Sequence, residues 1–432
     1  MRKLQRRVFL KQALGAAVGA AGFPYLVRSS ALGKDGAVAP SSRIVMGAIG
    51  IGWQGESNMK EFLKKQQVQF VAVCDVDKEH LEKAGSKVND RYGNKDCAAY
   101  GDFRELIGRG DIDAVSIALP DHWHSIPAIA AAKAGIDIYG EKPLSHTLRE
   151  GRAMCEAVKR YERIWQTGSW QRSVENFHHG CELVRNGRVG KIYRVEVGLG
   201  DGYTDYAGTK NQQTMGPPPE ILDYDTWLGP APWAPYCPAR IHKNWRWNLN
   251  YGGGRMMDWV GHHLDIAHWG LGLDYTGPVE VEGWGKGSSQ GVWNAPTEYE
   301  FTCKYANGVE IVVGSSFAGG TKWIGENGWV YVNRGKFDAN PKSVMNEVIG
   351  PDEIHLYKSR DHWGNFLECV RTRKPTIAPC EVAHRSASVG HLGNIAMMLG
   401  RKIRFNPDTE EIIGDPTANE MLGKAMRSPW HL

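Results

Sequence analysis

Asp258 and His262 stand four residues apart, and a lysine, Lys142, lies in Glu141-Lys142-Pro143. On a helix, residues at i and i+4 share one face, so this carboxylate and imidazole would point the same way. A neutral imidazole oriented by a carboxylate can take the proton of a hydroxyl while the carbon bearing it gives up hydride. An ammonium group beside the oxygen stabilises the charge that develops there. A lysine in a lone Glu-Lys-Pro is ordinarily a surface residue; a place at a strand end facing a ligand is what would give it chemistry. His263, next to His262, competes for the same role. Asp258, His262 and Asp265 would also share a face able to bind zinc, with His263 and His268 near by. Hydride removal needs no metal, and none is expected.

The elements that must position these groups follow an alternating pattern. The apolar run Ile44–Ile49 leads into Gly50-Ile51-Gly52-Trp53-Gln54-Gly55, a G-x-G-x-x-G, and then into helix-permissive sequence. A second apolar run, 70–74, ends at Asp75, 20 residues beyond Gly55. Glycines at this spacing let backbone N–H groups approach a pyrophosphate at a helix N-terminus, and an acid at this distance accepts from ribose hydroxyls. Asp75 would repel a 2′-phosphate, and no Arg or Lys follows it directly, so NAD is expected over NADP. Helices are expected at 78–91, 126–134 and 147–161, and strands at 114–118 and 136–139. Strand and helix in turn imply a parallel, doubly wound sheet with its ligand at the strands' C-terminal ends. Both Pro120-Asp121-His122-Trp123-His124 and Glu141-Lys142-Pro143 fall at such ends.

These features together resemble the Gfo/Idh/MocA family of sugar and inositol oxidoreductases. The resemblance runs from about Ser42 to the C-terminus. It rests on the glycine motif, Asp75, residues 120–124, Glu141-Lys142-Pro143, and Gly252-Gly253-Gly254 followed by Asp258 and His262. It implies that His262 is the general acid/base, Asp258 its orienting and substrate-contacting partner, and Lys142 the third member. It places Gly50, Ile51, Gly52, Trp53, Gln54, Gly55, Asp75, Pro120, Trp123, His124, Glu141 and Lys142 around the cofactor. Trp170, Arg172, Arg246, Asp258, His262 and His263 are expected around the substrate. Where the family often has Gly two residues after the Asp, this chain has Val260, with Gly261 next.

From about residue 191 the pattern changes to strands at 193–197, 279–283, 297–305, 309–315 and 329–332, with no comparable helix between most of them. The expected fold is therefore α/β: an N-terminal Rossmann domain, then an α+β domain with a large open, mainly antiparallel sheet. The long loop 201–251 carries Tyr203, Trp227, Trp233, Lys243, Trp245, Arg246 and Trp247 ahead of the catalytic segment, and reads as a substrate wall. Apolar spacing in the C-terminal helices 362–371 and 381–399 marks His384 and His391 as structural, while His178-His179, in a predicted helix with no partner in sequence, reads as an exposed polar face. The expected divisions are a signal at 1–31, a linker at 32–42, domains at 43–170 and 171–406, and an extension at 407–432. The resemblance implies a homo-oligomer, dimer or tetramer, formed through one face of the second sheet.

Charge and composition limit the alternatives. The net charge of the 432-residue chain is +4, and Arg2, Lys3, Arg6, Arg7, Lys11 and Arg28 more than account for it. The remainder has no net basic charge, which argues against a nucleic-acid binder. Eight cysteines without a C-x-x-C pair exclude a disulfide scaffold and a zinc ribbon. Gln5-Arg6-Arg7-Val8-Phe9-Leu10-Lys11 resembles the twin-arginine export signal, and the uncharged stretch 13–27 is too short and too weakly apolar to span a membrane. Small residues near Ala31 suit cleavage. Export would carry the folded protein to the periplasm with its cofactor tightly bound, because no free NAD pool serves it there. The expected activity is NAD-dependent oxidation of a secondary hydroxyl on a sugar, a glycoside (at C3 in one form) or a cyclitol. The alternative is a redox-neutral glycoside hydrolase or lyase that oxidises, eliminates, hydrates and reduces.

Overall fold

Six strands form the first sheet of the computed structural model, which describes residues 38–287 and 291–432. They are β1 (Ile44–Ile49), β2 (Val68–Cys74), β3 (Ala98–Tyr100), β4 (Ala114–Ile117), β5 (Asp137–Gly140) and β6 (Trp165–Thr167). All neighbours pair in parallel, in the order β3-β2-β1-β4-β5-β6. β4 and β5 are buried along their length, and β1 nearly so, as a sheet covered on both faces requires. The chain reverses its direction of travel across the sheet between β1 and β4, so a crevice opens there at the strands' C-terminal ends.

Capping residues set where the helices begin. Asp77 accepts from the N–H groups of Glu79 and His80 and starts helix Lys78–Tyr92, which Gly93 closes in the left-handed conformation. Thr147 does the same for helix Leu148–Arg160 through Glu150 N–H. Strands β3 and β6, three residues each, are too short to show a period in the sequence.

The second sheet has nine strands: β7 (Ile192–Gly198), β8 (Glu280–Gly287), β9 (Pro296–Lys304), β10 (Glu310–Gly314), β11 (Gly320–Gly325), β12 (Gly328–Asn333), β13 (Lys336–Asn340), β14 (Ile403–Asn406) and β15 (Glu411–Ile412). Their order is β13-β12-β11-β7-β10-β9-β8-β14-β15, antiparallel except for the β7–β10 pair. Helices Glu175–Arg185, Asp265–Leu271 and Cys380–Leu399 pack on this sheet. Fully buried Trp323 fills the space above Gly270, where a Cβ would lie 2.7 Å from the indole. Helix Cys380–Leu399 also packs on helix Leu148–Arg160 and on β6, so one helix joins the two sheets.

Residues 44–432 form one compact unit, and residues 40–42 of the preceding one make a single 3-10 turn. The twin-arginine motif and the cleavage region near Ala31 lie outside the described residues. No described helix is long and apolar enough to cross a membrane. His384 and His391 are buried as expected. His178 is not on an exposed face: it is 5% exposed, and its Nε2 lies 3.2 Å from the Leu356 carbonyl oxygen, because the 342–356 segment covers that side of the helix.

Candidate active site

The turn after β1 lets backbone pass close to backbone. Gly50 has φ 76°, and a Cβ there would lie 2.4 Å from the Ala118 carbonyl oxygen. A Cβ on Gly55 would lie 1.9 Å from the Gly50 carbonyl oxygen, so this glycine seats helix Trp53–Leu63 on the turn. Gly52 is the N-cap and gives the helix no side-chain cap. The first N–H groups are left for a ligand, and with the helix dipole they favour an anion such as a pyrophosphate. Ile51 N–H donates to Asp75 Oδ2 at 2.9 Å and holds that carboxylate beside the turn. Gly50, Gly52, Trp53, Gln54 and Asp75 line a cleft of about 340 Å³, while Ile51 and Gly55 support it from behind. These residues fit a nicotinamide dinucleotide.

The other end of the cleft holds the groups for chemistry. β5 ends in Glu141, whose buried carboxylate accepts from Asn58 Nδ2 at 2.8 Å. Burial raises this carboxyl above its usual range. The next residue, Lys142, reaches across to Asp258: its Nζ donates to the carbonyl oxygen at 2.6 Å and to Oδ1 at 2.9 Å. Arg246 Nε donates to the same Oδ1 at 3.1 Å. Burial pushes the Asp258 carboxyl upward, but Lys142 and Arg246 outweigh it and hold the group well below the usual range. His262 is buried and its Nδ1 has no hydrogen-bond partner. Burial pushes its imidazole well below the usual range, and the cations of Lys142 and Arg334 push the same way. At neutral pH the site therefore pairs an ionised carboxylate with a neutral imidazole.

Asp258 and His262 both line the cleft, yet the helix between them is not a plain α-helix. Helix Gly254–Trp259 passes into a π-helical turn, Val260–Leu264, before α-helix resumes at Asp265. A π-turn loosens the ladder, and side chains take up the carbonyls. Ser169 Oγ donates to the Gly261 oxygen at 2.8 Å, and Thr321 Oγ1 to the His263 oxygen at 2.6 Å. A Cβ on Gly261 would lie 2.8 Å from Lys142 Cβ, so the glycine at this position makes room for the lysine stem. That accounts locally for Val260 followed by Gly261.

Arg334 completes the wall. Its guanidinium stands 4.5 Å from the Trp170 ring centroid and 4.7 Å from that of Trp259, and Nε donates to Gln171 Oε1 at 3.1 Å. The His262 ring meets both indoles edge-on, at 6.3 and 5.5 Å between centroids. Such indole faces and a cation suit a polyhydroxylated ring.

Two family models match in succession. The one described as "Oxidoreductase family, NAD-binding Rossmann fold" matches residues 44–169, and the one described as "Oxidoreductase family, C-terminal alpha/beta domain" matches residues 167–432. The chain belongs to the Gfo/Idh/MocA oxidoreductase family. Similar curated proteins include a "Glycosyl hydrolase family 109 protein 1" of a Shewanella species and an "Alpha-N-acetylgalactosaminidase" of Shewanella oneidensis. Each is 27% identical over 217 residues, 46% of this chain and 46% of the relative. The match thus spans about half the length of these relatives. Similar solved structures include the WlbA dehydrogenase of Bordetella pertussis, in complex with NADH and UDP-GlcNAcA. It has TM-score 0.61 and 18% identity, with 84% of this chain and 99% of that chain covered. Another is the myo-inositol 2-dehydrogenase of Lactobacillus plantarum, with TM-score 0.58 and 18% identity, covering 84% and 100%. Both share the fold of this chain.

The cleft of this family member gathers Lys142, Asp258, His262, Glu141, Pro120, Trp123, Trp170 and Arg246 as the sequence suggests. Besides Ile51 and Gly55, three expected site residues do not line it. Arg172 is 2% exposed and bound to Asp265 Oδ2 at 2.7 Å and Asp274 Oδ1 at 2.7 Å. It is part of a buried ion cluster rather than a sugar contact. His263 stacks on Trp259 at 5.2 Å between centroids, with Nδ1 3.3 Å from Gln171 Nε2, and burial pushes it down to about 3. His124 spans two carbonyls at 2.8 Å, those of Pro143 and Leu119, and so ties the two strand-end segments together behind the cofactor cleft. Of the 201–251 loop, Trp227, Lys243, Trp245 and Arg246 line the cleft, whereas Trp233 is 68% exposed and Trp247 is fully buried. The zinc set read from the sequence is dispersed too: Asp265 is taken by Arg172, and His268 Nε2 lies 2.6 Å from Tyr305 Oη.

Proposed function

We propose that the protein uses tightly held NAD, in preference to NADP, to oxidise a secondary hydroxyl of a sugar, glycoside or cyclitol. The observation that carries this reading is the Lys142–Asp258 pair beside neutral His262, in the cleft that opens from the glycine turn. When bound, the dinucleotide supplies the hydride acceptor. Lys142 spends two of its three donors on Asp258, which leaves the third for the substrate oxygen. His262 takes the hydroxyl proton. Asp258, fixed by Lys142 and Arg246, orients the substrate and balances the charge His262 gains. Trp170, Trp259 and Arg334 hold the ring, and Asp75 beside the turn disfavours a 2′-phosphate. Export through the twin-arginine route to the periplasm belongs to the same proposal. So does assembly into a dimer or tetramer, for which half-exposed Tyr193 and Trp284 on the nine-stranded sheet supply apolar surface.

The second reading is redox-neutral cleavage of a glycoside, and the glycosidase names of the curated relatives favour it. Nitrophenyl glycosides separate the two. Nucleotide-loaded protein with no added acceptor is expected to release no phenolate, and to accumulate a keto-sugar once an electron acceptor is present. Phenolate release over many turnovers without an acceptor would establish the second reading instead.

The pH dependence tests His262 by sign. The base must be unprotonated to act, and burial lowers its pKa well below 6.5. The acid limb of kcat/KM is therefore expected well below pH 6.5, with full activity retained through pH 6.5. Asp258, depressed further below its usual 3.8, adds no limb above that value. A limb at pH 6.5 or higher would mean another base.

A further inference from the structure

At the Asp75 end of the cleft, three side chains from two separated segments converge. Asp77 and His80 come from the β2 end and the helix it leads into, and His242 comes from the 201–251 loop. One ligand atom from each lies within 4.8 Å of the other two, and among the described residues no other group of three does this. All three line the cleft. Asp77 commits Oδ1 to the N–H groups of Glu79 and His80, so its position is fixed and Oδ2 is left over. His242 Nε2 stands 3.7 Å from that Oδ2, and His80 Nδ1 stands 3.6 Å from Asp75 Oδ2. Both distances exceed a hydrogen bond. The two imidazole rings meet edge-on, with centroids 5.4 Å apart. At these distances neither imidazole is held tightly by a carboxylate, and one donor atom of each of the three side chains is free to turn toward a shared ligand. His242 also holds φ 49°, a left-handed backbone that is uncommon for a residue other than glycine. Strain of this kind persists where the surroundings fix it, commonly at a ligand clamp.

From this geometry we infer that Asp77, His80 and His242 form a site for a borderline divalent cation of the zinc class. Two imidazoles and one carboxylate are the donor set that such ions take, at about 2.0–2.2 Å each. Ligand atoms on one tetrahedral ion then lie roughly 3.4 Å apart, so 3.7 Å between Oδ2 and Nε2 closes with a shift of a few tenths of an ångström. Hard cations such as magnesium and calcium prefer oxygen sets and would be rejected. The ion takes no part in hydride transfer. It ties the 201–251 loop, which carries Lys243 and Arg246, to the nucleotide-binding sheet.

The test uses the full chain, freed of metal by chelation, and Co²⁺ as the probe. One equivalent is expected to bind with the intense visible absorption of a four-coordinate ion, and Zn²⁺ is expected to displace it. His242→Ala and His80→Ala should each weaken binding by more than about 100-fold, beyond the 10–100-fold typical of an outer partner. Amide exchange at 242–247 should slow on adding Zn²⁺ to the wild type and not to His242→Ala, and wild-type exchange in the strands of both sheets of the variant shows that it is folded but uncoupled. No saturable Co²⁺ binding, weak octahedral absorption, or unchanged affinity in both variants would overturn the site.

Discussion

Lys142→Ala is expected to lower kcat by about 10²–10³-fold while leaving nucleotide affinity within about threefold of wild type. The size follows from removing one preorganised donor at a developing oxyanion. Nucleotide affinity is spared because the glycine turn, the free helix N-terminus and Asp75 do not touch the lysine. The variant has a second signature. The Lys142 ammonium is the strongest of the influences that hold the Asp258 carboxyl down, and only Arg246 remains without it. The carboxyl should therefore titrate at higher pH in the variant, and the acid limb of the residual activity should lie at higher pH than in the wild type. Steady-state kinetics at saturating NAD, with a nucleotide titration, check both points. A loss of less than tenfold would leave Lys142 as a structural partner of Asp258.

Arg172→Ala is expected to destabilise the fold by about 3–5 kcal/mol, the range for breaking a buried ion pair by removing one partner. Arg172 and Asp265 are each about 2% exposed, and the guanidinium also holds Asp274 and stands 5.1 Å from the Trp269 ring centroid. Without it Asp265 is left as a buried carboxylate, already raised by desolvation even with the arginine in place. The penalty should shrink at low pH, where the carboxyl is protonated. Urea unfolding at two pH values measures this. A variant with wild-type stability and weakened sugar binding would return Arg172 to the substrate wall.

The contrast between these two cations shows what local sequence carries. Lys142 was legible because a strand end, a glycine turn and a distant Asp258/His262 pair all assign it to one crevice. Arg172 stands near the end of a strand as well, but its partners are 93 and 102 residues away and nothing local announces them. The same holds for His263, whose ring, inside the π-turn, stacks on Trp259 and meets Gln171 rather than lining the cleft. Gly261 is the one trace of that turn, and it reads as a departure until the lysine stem is seen against it. Arg334 was missed for a related reason. Asn333-Arg334-Gly335 reads as the tight turn of a hairpin, and it is one, joining β12 to β13. Only the packing of the nine-stranded sheet brings that turn over Trp170 and Trp259. The parallel sheet was largely legible, since its buried strands are continuous apolar runs. Strands β11 and β13 were not, because Gly320–Gly325 and Lys336–Asn340 mix glycine and charge with few apolar residues.

The central claim is that Lys142, Asp258 and His262 act on a hydroxyl whose carbon gives hydride to a nicotinamide held by the glycine turn. Single-turnover mixing of NAD-loaded protein with a panel of methyl glycosides and cyclitols tests it most directly, read as the near-ultraviolet absorbance of reduced nicotinamide. The account predicts one equivalent of reduced nicotinamide per chain with the preferred compound, formed at least about 100-fold more slowly in Lys142→Ala. No reduction with any of them, or the same rate in the variant, would contradict it.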